Sequence, residues 1–114
     1  MSAPGWFKDL SLDANDPQLL ADFWCAAMGY RRRDPDDREA PVLIEDPTGL
    51  GPSIWFAQVP EGKTIKNRMH HDVDGDTVAL LALGATLVRA RGGDVEWDVL
   101  ADPEGNEFCV FAPE

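Results

Sequence analysis

Ala101-Asp102-Pro103-Glu104-Gly105-Asn106-Glu107-Phe108-Cys109 carries an acidic turn into a closing apolar run. An Asp side chain can hydrogen-bond the backbone two residues on, Pro presets φ for the next position, and Gly takes the positive φ that closes such a turn. The same order occurs earlier. Val42-Leu43-Ile44-Glu45-Asp46-Pro47-Thr48-Gly49 corresponds to Asp98-Val99-Leu100-Ala101-Asp102-Pro103-Glu104-Gly105, and each copy reads as strand, turn, strand. Upstream of each copy a helical stretch ends at a glycine, in Met28-Gly29-Tyr30 and in Leu83-Gly84-Ala85. Gly29 to Pro47 is 18 positions and Gly84 to Pro103 is 19. Farther upstream lie two strand-like runs, Trp6 to Leu12 and Met69 to Val73. The chain therefore reads as one domain of two tandem βαβββ modules, about 5–60 and 61–114, in the α+β class.

The helix signals have local causes. Asp16 is placed to cap the first helix, and Pro17 fits its first turn, where a missing N–H is harmless. Leu20, Phe23, Trp24 and Ala27 recur at helical spacing as one apolar stripe, with Gly29 as a left-handed stop. In the shorter second helix Asp76 is the cap, Val78, Leu81 and Ala82 are the expected inward face, and Gly84 is the stop. Pro60 to Arg68 is polar and aperiodic, an inter-module linker. Arg31 to Arg38 mixes Arg and Asp around Pro35 and reads as a solvated hairpin without function.

Composition narrows the function classes. With 114 residues, 44% hydrophobic and 27% charged, the chain can build one core. Ten Lys+Arg against 21 Asp+Glu leave a net charge of −11, which repels nucleic acid and anionic membranes, so neither is an expected partner. No apolar run approaches the roughly 20 residues of a membrane span, and Met1-Ser2-Ala3-Pro4-Gly5 lacks the blocks of a signal peptide. Cys25 and Cys109 make neither a disulfide framework nor a CxxC pair. The expectation is a cytoplasmic protein handling a small molecule.

Strand alternation sorts side chains between the two faces of each sheet. Leu10 and Leu12 oppose Asp9, Ser11 and Asp13; Ile54 and Phe56 oppose Ser53, Trp55 and Ala57. Met69, His71 and Val73 oppose Arg68, His70 and Asp72; Phe108 and Val110 oppose Glu107, Cys109 and Phe111. Each strand has an apolar face fit to pack under a helix. Its other face mixes polar and aromatic groups and suits a pocket wall.

The modules, with Leu12-Asp13-Ala14-Asn15-Asp16-Pro17, Phe23-Trp24, Lys66-Asn67-Arg68-Met69-His70, Leu83-Gly84-Ala85 and the closing Ala101 to Cys109 run, resemble the vicinal oxygen chelate superfamily. This is the group of glyoxalase I, bleomycin-resistance proteins and extradiol dioxygenases, and the likeness is to its small glyoxalase-like branch. The resemblance implies that the two sheets curl round a shared cavity and that two chains pair as a homodimer. It also implies four metal-ligand positions, which fall on Asp9, Trp55, His70 and Cys109. Trp55 cannot ligate a metal, and the carboxylates usual on the last strands are replaced, including the one that serves as base in glyoxalase I. Asp9, His70 and Cys109 remain as a borderline ligand set. The expectation is therefore no resident cofactor or metal, and a pocket walled by Asp9, Ser11, Trp55, His70, Asp72 and Cys109.

Two functions follow. The first is a glyoxalase-like enzyme of lyase or isomerase type, with His70 as general acid/base, Asp9 orienting it, and Cys109 a nucleophile only if its pKa is depressed. The alternative is a non-catalytic, antibiotic-resistance-type binding protein in which Trp55, with Trp97, stacks on a cationic or neutral aromatic ligand. A purely structural module is the third reading. Glu107, two residues before Cys109, reads as a rim salt bridge or a solvated charge, and His71 as a structural histidine. Trp6 and Trp97 fit core or pocket equally.

Overall fold

Asp16 and Gly29 bracket the first helix by their own chemistry. In the computed structural model, which describes residues 3–113, an Asp16 carboxylate oxygen accepts from the Leu19 N–H at 3.2 Å, and Pro17 takes the first helical position. Gly29, at φ 71°, donates its N–H to the Cys25 carbonyl. Met1 and Ser2 of the leader reading lie outside the described residues.

The chain divides into two compact units, one ending at Val59 and the other beginning at Pro60. The first runs β1 (Leu10–Ala14), α1 (Pro17–Met28), β2 (Arg31–Arg32), β3 (Val42–Glu45) and β4 (Ile54–Gln58). Its sheet has the order β1-β4-β3-β2, with β1 parallel to β4 and the other neighbours antiparallel. The second repeats the plan as β5 (His71–Asp74), α2 (Thr77–Ala82), β6 (Thr86–Arg89), β7 (Asp98–Ala101) and β8 (Glu107–Phe111), in the order β5-β8-β7-β6. The fold is thus α+β, two βαβββ modules, as the duplicated turn predicts.

In the first unit Leu20, Ala21, Phe23 and Trp24 of α1 are buried, as are Val42, Ile44, Ile54 and Phe56 of the sheet. Arg32 ties β2 to this helix. Its guanidinium, 8% exposed, donates to Gln18 Oε1 at 2.9 Å and to Asp22 Oδ1 at 2.8 Å. The stretch read as a solvated hairpin therefore contains one structural cation. In the second unit Val73, Leu80, Leu100, Phe108 and Val110 form the core.

Three boundaries and faces differ from expectation. The inward residue of α2 is Leu80, while Val78 is 75% exposed and Ala82 is exposed. The Thr77 hydroxyl donates to Asp98 Oδ2 at 2.6 Å, which turns the Thr77–Leu80–Leu81 side toward the sheet. The first strand begins at Leu10, not Trp6, because β4 offers partners only from Ile54 onward; Trp6 and Phe7 are exposed. Met69 is likewise 83% exposed, since β5 starts at His71 opposite Phe108, leaving His71 and Val73 as its inward side.

The duplicated turns share one geometry. Gly49 and Gly105 donate their N–H to the carbonyls of Asp46 and Asp102, each at 2.9 Å. The Asp102 carboxylate, 2% exposed, accepts from the Glu104 and Asn106 backbone N–H groups and twice from Asn106 Nδ2. Asp46 accepts from Thr48 and from the Gly51 N–H. Truncating the buried carboxylate leaves several donors unpaired. Asp102→Ala is expected to cost about 2 kcal/mol and lower Tm by roughly 5–10 °C, and Asp46→Ala, more exposed, should cost less. Thermal unfolding followed by circular dichroism measures both.

Candidate functional site

Parallel pairing sets Asp72 of β5 opposite Cys109 of β8, and alternation puts His70, two residues earlier, on the same side. His70 Nδ1 lies 3.4 Å from Asp72 Oδ1 and 3.9 Å from Cys109 Sγ. One ligating atom from each of the three falls within 4.8 Å of the others. The thiol is buried and the other two side chains are exposed, so Cys109 forms the floor of the group and His70 with Asp72 its rim. Across β7, Val99 faces Cys109, and the Trp97 and Phe111 rings meet at 5.4 Å, which puts Trp97 beside the last strand.

The surroundings of the thiol disfavour its thiolate. Burial pushes the Cys109 pKa up, and the Asp72 carboxylate adds to it. This shift runs opposite to the depression that a nucleophilic Cys109 would need. His71, on the inward side, has its pKa lowered by burial, with Asp102 opposing and His70 assisting. A neutral, packed imidazole agrees with its structural reading. Within this module the carboxylate beside His70 is Asp72, a role the sequence reading assigned to Asp9.

Asp9 has a different occupation. In the first module Ser11 of β1 and Leu43 of β3 both pair with Trp55 of β4. The Trp55 indole N–H donates to Asp9 Oδ2 at 3.0 Å, and Lys8 Nζ stands 3.5 Å from the same oxygen. Trp55 also borders a cleft walled by Pro41, Leu43, Arg33, Asp34, Asp37 and Glu39. Each module thus assembles three of the six expected residues: Asp9, Ser11 and Trp55 in one, His70, Asp72 and Cys109 in the other.

Sequence reasoning missed the part played by the linker. Lys63 Nζ lies 2.8 Å from Glu107 Oε1, and the Asn67 N–H donates to the same oxygen at 3.0 Å, so the segment before β5 folds back on β8. The expected rim salt bridge of Glu107 finds its partner here. It also overlooked Asp98, which Thr77 and Arg91 hold on the inward side of β7. A lone inward-facing Asp in an apolar strand is the signal that a buried cation or hydroxyl must meet it.

The sequence matches the family model described as a glyoxalase-like domain over residues 9–111. The chain belongs to that family, within the vicinal oxygen chelate superfamily. No curated protein matches the sequence. Among solved structures, the fosfomycin-resistance protein FosX of Listeria monocytogenes superposes with a TM-score of 0.72 at 12% identity, covering 99% of this chain and 93% of its own. That structure is a complex with Mn(II) and a dihydroxypropylphosphonic acid. A glyoxalase/bleomycin resistance protein/dioxygenase family enzyme of Burkholderia phytofirmans gives 0.68 at 20% identity, over 92% and 96% of the two chains. TnmS3, an antibiotic binding protein of a Streptomyces species, gives 0.64 at 16%, over the whole of both.

The four ligand positions implied by the family do not all carry donors here. Trp55 has none, and its N–H is spent on Asp9. The second module, however, offers imidazole, carboxylate and thiol together, so His70, Asp72 and Cys109 can hold a metal ion. Asp72 was foreseen as a pocket residue only; its place opposite Cys109 makes it the extra donor.

Burial would raise the Glu107 carboxyl, yet the hydrogen bonds from Lys63 and the Asn67 N–H hold it down to about 2. Glu in an unfolded chain titrates near 4.3. The contact therefore stabilises the fold fully above that value and is lost as pH falls from about 4.3 toward about 2. Acid unfolding of Glu107→Gln should be shallower over that window than that of the parent chain, and the variant less stable at neutral pH.

Proposed function

We propose that this protein handles a small, planar, cationic or neutral aromatic molecule, and that it does so by binding. The carrying observation is Trp55: an aromatic ring, fixed by its hydrogen bond to Asp9, stands where metal-using relatives put a ligand. The cleft beside it is walled by Asp34, Asp37 and Glu39, while its one cation, Arg33, is already paired with Glu45 at 3.2 Å. Such a wall favours a positive or neutral aromatic guest through stacking and cation attraction. The antibiotic-binding function printed for TnmS3 supports the same reading. Within the first module the residues that contact this ligand are Asp9, Ser11 and Trp55.

A second reading is a lyase- or isomerase-type enzyme with His70 as acid/base. It is favoured by the Asp72 carboxylate 3.4 Å from Nδ1, which can orient the ring and leave Nε2 for a substrate. One experiment separates the two. Tryptophan fluorescence is titrated with planar aromatic cations and with matched sulfonated anions, and each compound that binds is then assayed for chemical change. The binding reading expects cations to bind more tightly, Trp55→Ala to weaken binding at least tenfold, and the ligand to be recovered unaltered. Turnover lost in His70→Gln would establish the enzyme instead, and indifference to Trp55→Ala would overturn the aromatic pocket.

A cytoplasmic homodimer completes the proposal. Both thiols are unbridged, and no described helix is long and apolar enough to cross a membrane. The second module exposes Val78, Leu83, Leu87 and Val88, at 75%, 46%, 50% and 56%. A second copy covering these side chains removes that apolar area from water. Repulsion between chains of net charge −11 makes pairing tighter at physiological than at low salt. Sedimentation at micromolar protein should show a dimer that strengthens with salt; a monomer at both salt levels would end this part of the proposal.

A further inference from the structure

We infer that His70, Asp72 and Cys109 form a self-contained chelating site for a borderline-soft divalent ion, Zn(II) or Co(II), within the second module alone. The site departs from the family arrangement, which draws on both modules. Here the first-module positions do not form a ligand pair, since Trp55 has no donor and its N–H engages one Asp9 oxygen. Asp72, at no family ligand position, supplies the missing oxygen.

The geometry fits before any ion enters. Bonds of about 2.0–2.3 Å at tetrahedral angles put ligand atoms roughly 3.3–3.7 Å apart. His70 Nδ1 lies 3.4 Å from Asp72 Oδ1 and 3.9 Å from Cys109 Sγ, with the whole trio within 4.8 Å. Two of the donors are preset by the parallel β5–β8 ladder, where Asp72 faces Cys109. His70 precedes the ladder, so it is the donor that has to adjust on binding. The donor set selects the ion. Thiolate with imidazole favours zinc and cobalt, whereas magnesium, calcium and manganese prefer oxygen-rich cages. As the sulfur–metal bond forms, the Cys109 S–H proton passes to solvent, so uptake releases a proton. Three protein donors leave the fourth tetrahedral position for water or a ligand atom.

The site stands independently of the aromatic pocket, and it is incompatible with His70 as a free acid/base. The test titrates the full-length, chelator-treated protein with Co(II). One ion per chain is expected, with a thiolate-to-cobalt charge-transfer band in the near ultraviolet and the intense visible bands of a tetrahedral ion, both erased by Zn(II). Cys109→Ser should abolish the charge-transfer band. Asp72→Asn should weaken binding at least about tenfold, while Asp9→Asn should change it less than about twofold. Circular dichroism of each variant confirms that the fold is retained. No charge-transfer band with cobalt in excess, or a band that survives Cys109→Ser, would overturn the site. Equal losses in Asp9→Asn and Asp72→Asn would overturn its confinement to one module. Trp55→Ala separates this inference from the pocket reading, because it should weaken the aromatic ligand and leave cobalt uptake intact.

Discussion

Asp102 holds the register on which the second module depends. Its buried carboxylate gathers Glu104 and Asn106 around the tight turn between β7 and β8, and Asp46 organises the corresponding turn before β4. The turn sets Val99 opposite Cys109 and Leu100 opposite Phe108. Since side chains alternate along a strand, a slip of one residue would send Cys109 into the core and Phe108 to the outer face. The parallel strand β5 then docks against β8, and only in that register does Asp72 meet Cys109. The chemistry of the site is thus a consequence of one carboxylate's hydrogen bonds.

The two modules show how far the same plan can diverge. Both use an Asp cap, a helix, and three strands returning beside the first. In the first, the 12-residue α1 buries Leu20, Phe23 and Trp24, and Arg32 pins its flank. In the second, the six-residue α2 buries Leu80 alone and leaves Val78, Leu87 and Val88 exposed. The outer faces diverge too. By register Trp55 is the counterpart of Cys109, Ser11 of Asp72, and Asp9 of His70. One module carries an aromatic ring at the register position where the other carries a thiol.

Charge follows the same economy of placement. Most acidic groups are solvated, but two of the ion pairs sit at joints: Glu107 with Lys63 where the segment before β5 folds onto β8, and Asp98 with Arg91 and Thr77 where α2 meets the sheet. The Asp98 carboxyl lies far below the usual range because Arg91 and Thr77 both donate to it. Exposed ion pairs contribute little, whereas groups sheltered from water lose a full partner if one member is removed. These pairs hold elements in place, and losing one member costs stability.

Much of this was legible in the residues themselves. The repeated Asp-Pro-x-Gly, the Asp caps and Gly29 are local signals, settled within a few bonds, and they defined both modules and the strand faces carrying Trp55, His70, Asp72 and Cys109. The inward residue of α2, the starts of β1 and β5, and the partners of Glu107, Asp98 and Arg32 were not legible, because each depends on a group distant in sequence. Val78 and Leu80 are equally apolar, and only the Thr77–Asp98 bond decides which one turns inward. The pairing of Trp55 with Asp9 and the gathering of His70, Asp72 and Cys109 are likewise tertiary facts, since a hydrogen bond of 3.0 Å or a contact of 3.4 Å is fixed by the sheet register that brings the strands together.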